Sequence, residues 1–135
     1  KVSNRRVPLV RGFDDYFYIP HSRHTAVSAE EIHACKELMV MAESEEAGVL
    51  LAMAGDGRQI FVMGHPEYDR YTLHNEYMRD KEKGLPIQVP KNYYPDDDCT
   101  RRPNLLWRSH CNNLYTNWLN YYVYQATPYE WGQLV

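Results

Sequence analysis

The chain has no long hydrophobic run, few cysteines and no excess of positive charge. No stretch approaches the roughly 20 apolar residues of a membrane-spanning helix, and no charged-then-apolar leader is present, so we expect neither membrane insertion nor export. The 15 Lys and Arg residues against 18 Asp and Glu give a formal net charge of -3, which argues against nucleic acid or an anionic membrane as a partner. The three cysteines are an odd number without CxxC spacing, which favours a reducing, cytoplasmic location.

What is present suits a folded unit. The chain has 135 residues, of which 44% are hydrophobic and 24% charged, as in ordinary globular proteins. It opens at Lys1 with "KVSNRRVPLVRGFDD" and no strand-turn-helix preamble, so we expect a piece of a longer protein. We therefore predict one domain, or one part of a domain.

The first half of the sequence predicts a loop, a short helix and three strands. Residues 1–23 are broken by prolines and a glycine, with brief strand character expected only at residues 16–18. Ser28 followed by Glu31 has the spacing of a helix capping box. Three apolar runs then lie between residues 38 and 63, and the pair Asp56 and Gly57 predicts a hairpin between the last two. The third run, "QIFVM", is nearly continuous in apolar residues, which predicts a strand covered on both faces.

The second half predicts two helices separated by a long loop. The first helix follows Asp69, a plausible N-cap, and ends near Gly84. Residues 85–103 contain four prolines and an aspartate run that lacks calcium-loop spacing, so we interpret the run as a solvated turn. The last helix has an apolar stripe at spacings of three or four, expected to serve packing, and Pro128 is its expected stop. The stripe consists of Trp107, Cys111, Leu114, Trp118 and Tyr122.

The segment "GHPEYD" is the main candidate for chemistry. Proline favours an extended conformation at His65, and side chains two apart on an extended chain share one side, so His65 and Glu67 can face the same cavity. A carboxylate beside an imidazole raises its basicity and selects its tautomer, as a general base requires. The alternative is a loop histidine paired with a carboxylate for structure alone, since structural ion pairs have the same composition.

No nucleophile accompanies this pair in the sequence. None of the cysteines stands on a strand-to-helix turn of the nucleophile-elbow type, so Cys35, Cys99 and Cys111 are interpreted as packing or bystander residues. Ser22, in "PHSRH", could contact a polar ligand, although loop serines more often bond the backbone. His21 and His24 have no third ligand at a suitable spacing, so we assign no metal.

Several segments together resemble one family. In order along nearly the whole chain stand "RGFDD", "PHSRH", "MGHPEYD", "YMRD", "WRSH" and "NWLNYYVYQATPY". This combination closely resembles the C-terminal part of the homoserine O-succinyltransferase and O-acetyltransferase family. The resemblance implies an α/β fold, the C-terminal part of a class I glutamine amidotransferase-like (flavodoxin-like) sheet with flanking helices and an antiparallel edge. Residues 1–135 would then be the C-terminal portion of one acyltransferase domain whose nucleophile-bearing N-terminal portion is absent.

The resemblance also implies a reaction and residue roles. Such enzymes move an acetyl or succinyl group from acyl-CoA to a cysteine, then to the γ-hydroxyl of L-homoserine, in methionine biosynthesis. His65 would be the general base and Glu67 its orienting partner, while Ser22 and Arg79 would contact the amino-acid substrate. Acyl-CoA is a co-substrate, no bound cofactor is implied, and a homodimer is expected. No position here matches the family's cysteine, so the chain by itself should be inactive.

Other interpretations remain open at this point. Without the resemblance, a surface pair with Glu76 is the simpler interpretation of Arg79. A cysteine-dependent glutamine amidotransferase would share the histidine and glutamate logic, although "PHSRH" and "YMRD" argue against it. A non-catalytic assembly module, docking a partner through the aromatic last helix, is the third possibility. The residues do not distinguish an acetyl from a succinyl donor.

Overall fold

A three-stranded antiparallel sheet flanked by helices organises this α/β chain, whose computed structural model describes residues 1–127 and residue 132. The strands follow the order β1, β2, β3 across the sheet. In chain order the elements are a 3-10 turn at Pro8–Val10, α1 (Ala29–Ala34), β1 (Leu38–Ser44), β2 (Gly48–Ala54), β3 (Ile60–Val62), α2 (Thr72–Glu82), a 3-10 turn at Pro95–Asp97, α3 (Arg108–Trp118), a π-helical turn (Leu119–Val123) and α4 (Tyr124–Ala126).

The predicted local signals form the expected structures. The Ser28 hydroxyl accepts a hydrogen bond from the backbone N–H of Glu31 and so caps α1. The hairpin between β2 and β3 turns at Gly57, whose φ of +74° is in the region that glycine adopts most easily. Asp69 caps α2 from outside it, because its carboxylate accepts from the backbone of Tyr71 and Thr72 although Tyr71 is the last residue before the helix.

Burial in the sheet differs from the prediction for its third strand. The central strand β2 is buried at every position from Val49 to Met53. In contrast, Phe61 and Val62 on β3 are 40% and 39% exposed, so the prediction of a strand covered on both faces is wrong for the described residues. The reason is position: β3 pairs with β2 on one side and is an edge strand of this sheet.

The N-terminal segment is irregular, as expected, but it has no strand at residues 16–18, where strand character was predicted. Its apolar side chains instead pack in the main core between the sheet and α3. That core includes Leu9 and Phe13 from the segment, Met41 and Leu51 from the sheet, and Leu114 from α3. Burying such side chains contributes about 1.5–3 kcal/mol each, and it adds to a short backbone bridge between Val2 and Ala42 at the start of the segment.

The last helix packs by a face slightly different from the predicted stripe. Trp107, Cys111 and Leu114 are buried, but Trp118 is 42% exposed and Asn117 is buried in its place. Asn117 Nδ2 donates to the carbonyl oxygens of Leu9 and Arg11, at 3.0 and 2.8 Å, so the polar side chain fastens the helix to the N-terminal segment. The π-helical turn follows, and the predicted stop at Pro128 lies outside the described residues.

A second cluster of buried residues joins α2, the loop after it and the start of α3. It consists of Leu73, Tyr93, Tyr94, Trp107 and Cys111. The aspartate run in this loop caps local turns: Asp97 accepts from the backbone of Asn92, and Asp98 from that of Thr100. No helix among residues 1–127 has the length and apolar character needed to cross a membrane.

Candidate active site

His65 lies just beyond β3, where the chain passes close to the segment around Pro20. The backbone N–H of His65 donates to the carbonyl oxygen of Pro20 at 2.8 Å. Gly64 makes this approach possible, because a Cβ there would meet the Pro20 carbonyl oxygen at 3.0 Å and Leu50 Cδ1 at 2.9 Å. The backbone contact with Pro20 therefore fixes the position of the His65 Cα, from which the imidazole ring extends.

Both nitrogen atoms of the His65 ring lie near an oxygen atom. Nδ1 lies 2.9 Å from Oε1 of Glu67, as predicted from the two-residue spacing, and Nε2 lies 3.2 Å from the carbonyl oxygen of Ser22. The Glu67 carboxylate accepts only, so it favours the tautomer with the hydrogen on Nδ1 and leaves Nε2 as the nitrogen that can take up a proton. Once protonated, the ring has an acceptor at each nitrogen.

Tyr68 supports the ring from one face. Its ring stacks on that of His65 with 4.3 Å between centroids and 15° between planes. Its hydroxyl donates to Oε1 of Glu76 on α2 at 2.7 Å, and its carbonyl oxygen accepts from Trp107 Nε1 at 2.9 Å. Burial and the Glu76 carboxylate raise the pKa of the Tyr68 phenol to about 12, so it remains a donor at neutral pH.

Ser22 reaches the site mainly through its backbone. Its carbonyl oxygen faces His65 Nε2, and its side chain lies close enough to the Tyr68 hydroxyl to lower the pKa of that phenol by a hydrogen bond. The serine is partly buried. The structure thus places Ser22 beside His65, with its hydroxyl close to that of Tyr68.

Arg79 lies on α2, one turn beyond Glu76. Its guanidinium binds the neighbouring Asp80 through Nε and Nη2, at 2.7 and 3.0 Å, and its side chain is 54% exposed. The surface pair with Glu76 considered from the sequence is therefore replaced by a pair with Asp80. Glu76 and Tyr68 are still near enough to add to the raised pKa of Arg79, after the larger effect of Asp80.

His21 packs behind the site as a neutral ring. Burial lowers its pKa to about 4, and the charges of Arg23 and His65 act in the same direction. Its Nδ1 is buried and has no hydrogen-bond partner among the described residues. His21 also lines a cavity of about 570 Å³ with Leu73 and Trp107, and this cavity touches none of the four residues predicted for the site.

The surroundings of Cys111 and Cys35 do not suit a nucleophile for His65. Cys111 is buried, and burial, with a smaller effect of Glu67, raises the pKa of its thiol to about 12. A thiol with such a pKa is almost wholly protonated at neutral pH. Cys35 instead bonds Glu37 at the end of α1, far along the chain from the site. Nor do any three His, Cys, Asp or Glu side chains of residues 1–127 cluster as a metal site would require.

Sequence reasoning assigned no role to two residues that the structure places at the centre of this site. Tyr68 stands inside the quoted segment "GHPEYD", three residues after His65. Glu76 was considered only as a partner for Arg79. The available signal was helical spacing, because Glu76 and Arg79 are three apart and so are neighbours on α2.

A histidine with a carboxylate at one ring nitrogen is the arrangement that general bases of nucleophilic enzymes use, although structural pairs have it too. A family model for homoserine O-succinyltransferase matches residues 1–129. The chain belongs to this homoserine O-acyltransferase family.

Curated relatives agree with the family match. The chain is 70% identical over 130 residues to a homoserine O-acetyltransferase of Lachnoclostridium phytofermentans, covering 96% of this chain and 43% of the relative. It is 68% identical to one of Agathobacter rectalis and 61% identical to one of Lachnospira eligens, each covering 96% of this chain and 42% of the relative. The chain therefore spans less than half the length of the curated relatives it matches.

Proposed function

We propose that the protein containing this chain transfers an acyl group from acyl-CoA to the γ-hydroxyl of L-homoserine, with His65 as general base and Glu67 as its orienting partner. The observation that carries the proposal is the 2.9 Å contact between these side chains in a member of this family. The names of the similar relatives, homoserine O-acetyltransferases, support the same acceptor.

The proposed mechanism has two transfers. A cysteine thiolate outside residues 1–135 attacks the thioester carbonyl of acyl-CoA, and CoA leaves as a thiol with the proton of protonated His65. The γ-hydroxyl of L-homoserine then attacks the new thioester and gives its proton to Nε2 of His65. The cysteine thiolate leaves as the ester forms, and the Glu67 carboxylate stabilises each imidazolium.

Ser22 and Arg79 are proposed to contact the homoserine substrate. A guanidinium binds a carboxylate through two parallel N–H donors, and Asp80 occupies only two of the five that Arg79 carries. We further propose a class I glutamine amidotransferase-like sheet for the whole protein, of which β1 to β3 are a part. A homodimer, a cytoplasmic location, a place in methionine biosynthesis and the absence of a bound cofactor stay predictions.

The acyl donor is left as acetyl-CoA or succinyl-CoA. The family model carries a succinyltransferase description, whereas the similar relatives are named acetyltransferases. Both donors therefore enter the test. Comparison of kcat/KM for the two CoA esters in the natural full-length protein would identify the donor.

The test of the base is His65→Ala in the natural full-length protein. We expect acyl transfer to L-homoserine to fall by about 10³-fold or more, because loss of a catalytic histidine of this type removes both proton transfers. His24→Ala is the matched control, since His24 is exposed. Near-normal turnover by a folded His65→Ala protein would refute the assignment.

The two alternative functions, a glutamine amidotransferase and a non-catalytic assembly module, predict different results in activity assays. A glutamine amidotransferase would release ammonia from glutamine and leave homoserine untouched, and the family match gives it no support. An assembly module would leave His65 without catalytic effect. The exposed aromatic residues of the last helix, among them Trp118 and Tyr124, suit a subunit contact, which is compatible with the enzyme.

A further inference from the structure

We propose that Glu76 binds the α-ammonium group of the amino-acid substrate. This inference rests on the proposed function and deepens it, because it names what the acceptor site recognises besides a carboxylate and a hydroxyl. It assigns Glu76 a contact with substrate that neither the sequence motif nor the family match supplies.

The first observation is the state of the Glu76 carboxylate. Its Oε1 accepts from the Tyr68 hydroxyl at 2.7 Å, whereas its Oε2 is buried and has no hydrogen-bond partner among residues 1–127 and 132. A buried carboxylate oxygen without a donor costs free energy. A cationic N–H donor brought by a ligand removes that cost.

The second observation is the fixed orientation of this side chain. The Tyr68 phenol stays protonated at neutral pH and holds Oε1, while the Tyr68 ring stacks on His65. Glu76 is therefore connected to the base by one residue.

The third observation is the pairing of opposite charges on one helix face. Glu76 and Arg79 are three residues apart on α2, so their side chains are neighbours. An α-amino acid carries an ammonium and a carboxylate on the same carbon. The carboxylate of Glu76 and the guanidinium of Arg79 are complementary to those two groups in the same way.

Access to Oε2 requires only a small movement. The terminal torsion of a glutamate side chain is soft, so the carboxylate can rotate about its last bond and turn the oxygen toward a ligand. Because the Oε2 atom itself is buried, an ion pair formed there is stronger than one between two fully exposed groups.

The experiment uses the natural full-length protein and two acceptors, L-homoserine and 4-hydroxybutanoate, which lacks only the amino group. We expect Glu76→Gln to lower kcat/KM for L-homoserine by about 10- to 100-fold, the effect of losing a charged hydrogen bond. Turnover of 4-hydroxybutanoate should not fall. CoA release in the absence of acceptor, which reports the first transfer, should be unchanged. Glu82→Gln is the matched control, an exposed glutamate on the same helix.

Each outcome decides a different question. If the wild-type protein does not acylate L-homoserine, the proposed function itself fails. If it does, and Glu76→Gln slows both acceptors equally or leaves L-homoserine unaffected, the ammonium contact is overturned. Should Glu76→Gln fold poorly, Glu76→Asp keeps the charge on a shorter side chain, and its preference for L-homoserine over 4-hydroxybutanoate must then stay closer to wild type than that of Glu76→Ala.

Discussion

His65 and Arg79 lie toward opposite ends of one chain of contacts, and the structure holds them in different ways. His65 has partners at both ring nitrogens and on one ring face, and its side chain is 34% exposed. Arg79 is 54% exposed and its hydrogen bonds go to the adjacent residue, Asp80. The contacts at the first end come from two separate segments of chain, residues 20–22 and 65–68, whereas those at the second are local.

This difference agrees with the two proposed roles, a general base for His65 and a substrate-binding residue for Arg79. A base must be oriented before the substrate arrives, and rigid support of this kind is what preorganised catalysis requires. A side chain that binds substrate can exchange one carboxylate partner for another when the ligand binds. The His65 end is thus set by the fold, whereas under the proposed function the Arg79 end would be set by the substrate.

The strongest way to break the comparison is to remove the ring under His65. Tyr68→Leu should lower kcat for both transfers by about 100-fold in the full-length protein, since small misplacements of a catalytic group have effects of this size. Steady-state kinetics and CoA release measure the two transfers separately.

Tyr68→Phe is the control for that change. It keeps the stacked ring and removes the hydroxyl, with its hydrogen bond to Glu76 and its contact with Ser22, so the first transfer should remain close to wild type. If the leucine and phenylalanine variants behave alike, the ring does not position His65.

A smaller effect is expected at the other end. Arg79→Ala should raise KM for L-homoserine by about 10- to 100-fold, as expected for a lost charged hydrogen bond, with CoA release in the first transfer unchanged. Asp80→Asn is the companion variant, because weakening the pair with Asp80 frees the guanidinium. A normal KM in Arg79→Ala would show that the exposed arginine has no part in binding.

The smallest effect concerns the pH dependence of stability, and it tests the burial of His21 behind His65. The pKa of His21 is about 4 in the folded chain and 6.5 in the unfolded one, so the unfolded state binds a proton first as pH falls. The part of the free energy of unfolding that depends on neutral His21 is fully present above pH 6.5 and is lost progressively toward pH 4. This loss amounts to at most about 3 kcal/mol. His21→Asn should therefore weaken the fall of thermal midpoint between pH 7 and pH 4.5. His24→Asn, at an exposed position, should retain the wild-type slope.

The sequence predicted those parts of the site that depend on neighbours along the chain. The contact between His65 and Glu67 follows from a two-residue spacing within a turn, and the Ser28 cap and the Gly57 hairpin are equally local. The roles of Ser22 and Arg79 in substrate binding stay predictions. Tyr68 and Glu76 were missed because their contact joins a loop to a helix eight residues later, and residue type does not reveal such a pairing.

The errors in the fold have a common cause in tertiary position. The apolar pattern of residues 60–62 is that of a buried strand, but burial depends on what covers a strand, and β3 stands at a sheet edge. The helical stripe placed Trp118 inward, yet two carbonyl groups of the N-terminal segment draw Asn117 toward the core instead. A polar residue in that position is not expected from hydrophobic periodicity.

The free edge of β3 also affects how the isolated chain behaves in solution. An edge strand offers a row of unpaired backbone groups, and it resists aggregation when charged residues or a covering segment protect it. Among residues 1–127, no strand pairs with the outer side of β3, and Phe61 and Val62 are exposed on it. Concentration-dependent self-association of the 135-residue chain is therefore expected wherever that edge stays bare.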